Sequence, residues 1–205
     1  MNKQKILLVL VALVVGVVGG FGGAYMFESL GDKNQNKLIK DYYLVENAVG
    51  VSPHGLRLRM DKGDQTFILV DLRSQEEYER EHITGAINIP AYSDKFTSAY
   101  HEVERIVGSF RELPEDKEII TYCYSVPCMT SRRIGKLLVE NDIYVKHLNI
   151  GWNEWRYFWN LWNVEHELAD TSPEQYVTEG PEPGVLENAN PFLIDTGCTA
   201  GEFGC

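Results

Sequence analysis

The residues of this chain with the most evident chemistry are two cysteines five positions apart, Cys123 and Cys128. Cys123 follows the β-branched and aromatic run 119–122, which reads as a buried strand. Beyond Cys128 the pattern turns helical, with Ile134, Leu137 and Leu138 at i, i+3 and i+4 and Thr130 or Ser131 placed to cap the start. Between a strand end and a helix start, loop N–H groups and the positive end of the helix dipole face the sulfur. That setting lowers a thiol pKa and favours the nucleophilic thiolate. The residues expected to cradle whatever the sulfur binds are Tyr124, Ser125, Val126, Pro127, Cys128, Met129 and Thr130, with Arg132 the first cation beyond them. Cys128 has three readings: a resolving thiol that forms a disulfide with Cys123, a second sulfur acceptor, or loop filler.

A second pair, Cys198 and Cys205, closes the chain. Outside the cytoplasm two close cysteines form a disulfide around a small loop. As a metal site the pair has too few ligands, and the histidines show no ligand spacing with cysteines or with one another. No metal and no cofactor is expected.

The location follows from the start of the chain. Residues 1–5 are a short basic tail, and residues 6–27 carry no charge over a length that can span a bilayer. The run reads as a transmembrane signal anchor, N-terminus in the cytoplasm and the main domain outside, in the cell membrane. A secretory signal peptide cut near the small residues Gly22 and Ala24 is the alternative, and would leave the rest secreted. Lys+Arg 19 against Asp+Glu 30 gives a net charge of −11. The two lysines ahead of residue 28 are the only charges there, so the remainder is more acidic still. Such a body excludes nucleic acid and adhesion to an anionic surface as leading readings.

The elements that must position the cysteine loop then follow. Residues 28–49 read as a polar stalk. Ser52 and Pro53 open a short helix carrying Leu56 and Met60, which ends at Lys62-Gly63-Asp64. Residues 67–70 form a strand, and Ser74 with Glu77 makes a capping-box pattern for a helix over 75–81. A strand over 87–90, a helix through Val103, Ile106, Val107 and Phe110, the cysteine strand and its helix, and a strand over 144–148 complete an α/β pattern with a parallel sheet. Ligands sit at the carboxyl ends of such strands, where Cys123 lies. Trp152, Trp155, Trp159 and Trp162 repeat at 3, 4 and 3, the spacing of one helix face that covers the sheet. From Val164 onward there are nine acids, four prolines and no Lys or Arg, which predicts an extended, poorly packed extension over 163–205.

An ordered set of short motifs carries a family resemblance. Val70-Asp71-Leu72-Arg73-Ser74 with Glu77-Tyr78, then His82-Ile83-Thr84-Gly85-Ala86-Ile87-Asn88-Ile89-Pro90, then Tyr122-Cys123, then Gly151-Trp152-Asn153-Glu154-Trp155, resemble the rhodanese (sulfurtransferase) domain. The resemblance covers the domain assigned to residues 50–162. It implies a three-layer fold around a central parallel five-stranded sheet, with Cys123 as the sulfur-carrying nucleophile. The implied substrate is a small sulfane-sulfur donor such as thiosulfate, and the implied acceptor a thiol. N–H groups from Tyr124 to Met129 would hold the anionic persulfide. The loop departs from the family's common pattern: Val126 and Cys128 stand where a glycine and an arginine are usual. A phosphatase of related architecture needs an arginine where Met129 stands. Asp71 and Arg73 read as framework, and His82 as the residue that fixes the turn before the next strand.

The leading expectation is an extracytoplasmic, membrane-anchored sulfurtransferase using a Cys123 persulfide. The alternatives are a thiol–disulfide redox protein using Cys123 and Cys128, and a non-catalytic binding module on the same fold.

Overall fold

The computed structural model describes residues 3–165, 170–187 and 189; within its first helix, side chains are described at 4, 11–20 and from 35 onward. Backbone packing divides the chain into two units, 1–46 and 47–205. The first is a single helix, α1 (Lys3–Val49), so the stalk is helical throughout. Among the described residues no helix is long and apolar enough to cross a membrane. The expected anchor, 6–27, falls largely on side chains outside the described set.

The second unit begins with β1 (Gly50–Val51), α2 (Pro53–Asp61), β2 (Phe67–Asp71), α3 (Gln75–Arg80), β3 (His82–Ile83) and β4 (Ala86–Asn88). A small hairpin, β5 (Tyr92–Asp94) and β6 (Thr97–Ser98), leads to α4 (Val103–Arg111). Then come β7 (Glu118–Tyr122), α5 (Thr130–Val139), β8 (Lys146–Leu148), α6 (Trp152–Tyr157) and β9 (Val177–Thr178). Ser52 caps α2 as its sequence predicts, its hydroxyl accepting from Gly55 N–H, with Pro53 in the first turn.

Five strands form the central sheet in the order β1-β8-β7-β2-β4, every neighbouring pair parallel. The two-residue period of a strand sends alternate residues of β7 to opposite faces. Ile120 and Tyr122 join Leu56, Met60, Tyr78, Trp152, Trp155 and Trp159 on one side. Ile119 and the following Cys123 join Ile106, Phe110, Ile134 and Leu138 on the other. The sulfur therefore belongs to the α4–α5 layer.

Two expectations are corrected. The four tryptophans do not lie on one helix. α6 ends at Tyr157, Phe158 leaves helical geometry, and a 3₁₀ turn covers Trp159–Leu161. The break lets Trp162 stack on Trp155 at 5.0 Å and meet Trp159 edge-on at 4.5 Å, a closer aromatic cluster than one straight face provides. Nor is the acidic extension loose where it is described. Ser172 and Pro173 start a 3₁₀ turn, and Tyr176 is buried with its ring stacked on Trp159 at 5.4 Å and its hydroxyl donating to Asp61. β9 pairs antiparallel with β3, and Gly85 N–H donates to Pro183. Composition argued for disorder, but one aromatic anchor and a strand edge outweigh it.

Tyr176→Ala is expected to cost about 3 kcal/mol of unfolding free energy, as for other emptied aromatic sites. Urea denaturation of the full chain measures it. A loss below about 0.5 kcal/mol, the range of ordinary surface changes, would mean the segment does not hold the fold.

Candidate active site

The site forms where β7 runs out. Cys123, 3% exposed, is the first residue beyond the strand. Its carbonyl accepts the N–H of Trp152 and the Tyr124 carbonyl accepts that of Asn153, each at 2.8 Å. The free N–H groups of the first turn of α6 thus find partners in the cysteine loop. Gly151 makes the approach feasible: a Cβ there would lie 2.2 Å from Ser125 N and 2.4 Å from the Tyr124 carbonyl carbon. Glu154 completes the joint, its carboxylate accepting from Gly151 N–H at 2.9 Å and Val126 N–H at 3.3 Å.

Next to this joint lies a buried ion pair. Asp71, at the end of β2, takes a bidentate contact from Arg73, and the hydroxyl of Tyr122 donates to it at 2.6 Å. The Arg73 guanidinium lies 4.3 Å over the Trp152 ring and donates to the Glu81 carbonyl. Burial and the Asp71 charge push the Tyr122 hydroxyl well above the ordinary tyrosine range, so it stays a donor. All these contacts fasten β2, β7, α3 and α6 to one another, which is a framework role. His82 is fully buried, stacked on Tyr78 at 3.9 Å, with its ring nitrogens on the Tyr78 and Pro183 carbonyls.

The structure brings the expected loop residues together around the sulfurs, with different duties from those anticipated. Ser125 accepts the Cys128 N–H, which closes a turn and returns Cys128 over Cys123. Val126 N–H is held by Glu154, and Pro127 has no N–H, so no ring of donors from 124 to 129 remains. The backbone donors that stabilise sulfur charge are those of Tyr124 and Thr130. Val126, Pro127 and Met129 are exposed at the mouth. Arg132 turns to the Val126 and Cys128 carbonyls, at 3.3 and 3.4 Å, rather than toward the sulfurs. Thr130 does not cap α5; it is the first helical residue, 1% exposed, with its hydroxyl 2.6 Å from Tyr100 and 2.9 Å from Tyr92. Ser74 likewise makes no cap bond, because its hydroxyl donates to Glu77, which also takes the Tyr124 hydroxyl. Tyr92, Tyr100 and Glu77 were not legible as site residues, since they come from separate elements with no shared spacing. Cys198 and Cys205 lie outside the described residues. Among the described residues no group of three or more His, Cys, Asp or Glu is arranged to hold a metal ion.

The two sulfurs are free thiols 3.3 Å apart. At that separation they share a proton and titrate as a pair. Cys123 keeps it: the hydrogen bond with Cys128, and then burial, push it well above the thiol range. This overturns the lowered pKa expected for Cys123, because a neighbouring thiolate outweighs the helix end. Cys128 is lowered to about 5, first by the hydrogen bond from Cys123, then by the hydroxyl and N–H of Thr130 and the N–H of Tyr124, all against its own partial burial. The directions of the two shifts favour the charge on the more exposed Cys128 and the proton on the buried Cys123.

The family model of the rhodanese-like domain matches residues 52–157. An HTH-type transcriptional regulator of Mycobacterium tuberculosis is 33% identical over 98 residues, which are 48% of this chain and 37% of that protein. The chain thus spans little more than a third of the length of that curated relative. Among solved structures, a protein of Bacillus halodurans is 26% identical with a TM-score of 0.47, covering 59% of this chain and 80% of its own. The rhodanese-like domain of an Anabaena sp. protein is 19% identical with a TM-score of 0.39, covering 74% and 91%.

The thiolate assignment gives a pH signature. A group with a lowered pKa is deprotonated above that value, so alkylation of Cys128 should rise through about pH 5 and be level by neutrality. Cys123→Ser removes the thiol that lowers it, and the midpoint should move up toward about 8.5, the value of a free thiol. Iodoacetamide rates read by peptide mapping test this; a wild-type midpoint near that of free cysteine would overturn the assignment.

Proposed function

The chain belongs to the rhodanese-like domain family, and on that premise we propose that it is a sulfurtransferase carrying sulfane sulfur as a Cys123 persulfide. The observation that supports this most is the placement of Cys123, buried at the carboxyl end of the central strand with the Cys128 sulfur 3.3 Å away. The Cys128 thiolate takes the Cys123 proton as the Cys123 sulfur attacks the outer sulfur of a donor such as thiosulfate or a polysulfide. The donor's sulfur–sulfur bond breaks, sulfite or a shortened polysulfide leaves, and the outer sulfur stays on Cys123. The Tyr124 N–H and the Thr130 N–H and hydroxyl stabilise the negative charge. An external thiol then accepts the sulfur. A thiol–disulfide role draws on the same 3.3 Å pair and is the competing reading.

The uncharged run 6–27, with Lys3 and Lys5 before it, supports anchoring of the chain in the cell membrane with the domain outside the cytoplasm. The acidic charge supports a small-molecule and thiol chemistry rather than nucleic acid.

The chemistry is tested by intact mass of reduced protein exposed to thiosulfate or polysulfide. The expected result is a gain of one sulfur that maps to Cys123 and is absent in Cys123→Ser. No added sulfur under either donor sinks the sulfurtransferase reading. For the location, alkaline carbonate washing of membranes should leave the full-length chain in the pellet; release into the wash, or an N-terminus beginning after residue 24, would refute the anchor.

A further inference from the structure

We propose that Cys128 resolves the Cys123 persulfide inside the site, so that the sulfur leaves as hydrosulfide and a Cys123–Cys128 disulfide remains. This rests on the Cys123 persulfide of the reading above and puts Cys128 in place of the external thiol as the group that removes the sulfur. The partner is a dithiol reductant, which must reopen the site after each turnover.

The geometry carries the step. Two sulfurs 3.3 Å apart are only about 1.3 Å beyond a disulfide bond length and already within near-attack range. The turn closed by Cys128 N–H on the Ser125 carbonyl holds Cys128 in that position. The inner sulfur of a persulfide would be the Cys123 sulfur itself, at 3% exposure out of easy reach for a dissolved thiol. Among the described residues Cys128 is the one thiol already beside it. The more accessible Cys128 sulfur is in turn the end of the disulfide that an external dithiol can attack.

The atoms balance. Before the step the site holds a persulfide anion on Cys123 and the Cys128 thiol, which received the Cys123 proton during loading. Cys128 sulfur bonds to Cys123 sulfur, the bond from Cys123 to the outer sulfur breaks, and the outer sulfur leaves with its electron pair. The Cys128 proton departs with it, giving hydrosulfide. The Thr130 hydroxyl, 3.3 Å from Cys128 and bonded to Tyr100 and Tyr92, is placed to pass that proton. Cys128 is oxidised to the disulfide level and the outer sulfur is reduced to sulfide. The dithiol then supplies two electrons and two protons to restore both thiols, and becomes a disulfide itself.

Reduced full-length protein is given inorganic polysulfide with no other thiol, and masses, mapped disulfides and hydrosulfide above a protein-free control are followed in time. The wild type should pass through a one-sulfur gain on Cys123 to a Cys123–Cys128 disulfide, separable by mapping from any bond of Cys198 or Cys205. Cys128→Ser lacks the loading base and should gain sulfur more slowly. Once loaded and freed of polysulfide, it should hold the sulfur on Cys123 at least about tenfold longer, as the loss of a preoriented nucleophile requires. A loaded sulfur lost as fast as from the wild type overturns the inference. A wild-type persulfide that lasts as long as that of Cys128→Ser, with no Cys123–Cys128 disulfide, overturns the inference and leaves sulfur transfer standing. No sulfur on Cys123 in either protein overturns sulfur transfer and the inference with it.

Discussion

Two main-chain hydrogen bonds, from Trp152 and Asn153 N–H to the Cys123 and Tyr124 carbonyls, join the end of β7 to the start of α6. A helix of six residues has little stability of its own, and a seven-residue strand-to-helix excursion has less. Each supplies what the other lacks: the helix has unpaired N–H groups and the loop has unpaired carbonyls. The joint requires the bare backbone of Gly151, since any side chain there would overlap Ser125 and Tyr124. Glu154 extends it by one more loop N–H, and Trp155 ties the same helix into the core at zero exposure. The Gly151–Trp155 motif is thus one mechanical device, each residue with its own physical duty.

The buried Asp71–Arg73 pair is best understood as alignment. Removing two charges from water costs more than their attraction reliably returns, so such a pair is a weak source of net stability. What it does supply is direction. Asp71 accepts from the Arg73 side chain, the Arg73 N–H and the Tyr122 hydroxyl, so no lone pair faces apolar surroundings without reason. Those bonds can be made together only if β2, β7 and the turn into α3 are in register. Tyr122 immediately precedes Cys123, so the error tolerated in the position of the sulfur is set here as well as at Gly151.

Where a local signal and its consequence lay in the same few residues, the sequence was readable. Ser52 before Pro53, the apolar runs of β2 and β7, and the α/β alternation all appear in place. The misreadings share a cause: a contact that the local pattern does not specify took over a group that the pattern had assigned. Ser74 is diverted from capping by Glu77, whose carboxylate also serves Tyr124. The tryptophan periodicity describes one helix face, yet Trp162 gains more by folding onto Trp155, with its N–H on the Glu154 carbonyl. Tyr176 is a single aromatic in an acidic segment, and nothing nearby in sequence reveals that Trp159 and Asp61 await it. The cysteine loop was located correctly as a place, while its hydroxyl neighbours Tyr92 and Tyr100 arrive from the β5–β6 hairpin region with no pattern to announce them.

The opposite shifts of the two thiols suggest how the loop can manage with Cys128 where an arginine is usual. A buried thiol in an apolar layer resists losing its proton, and the usual remedy is a nearby positive charge. Here Arg132 faces loop carbonyls, and the group beside Cys123 is instead another sulfur. The Cys128 thiol is lowered first by the hydrogen bond from Cys123 and then by the Thr130 and Tyr124 donors, which makes it the favoured seat of the charge. Under the proposed sulfur transfer it would act as a base toward Cys123, one proton moving across 3.3 Å as a sulfur electrophile takes up the charge. The hydrogen bond with Cys128 and burial favour the protonated form of the Cys123 sulfur, the form that resists oxidation.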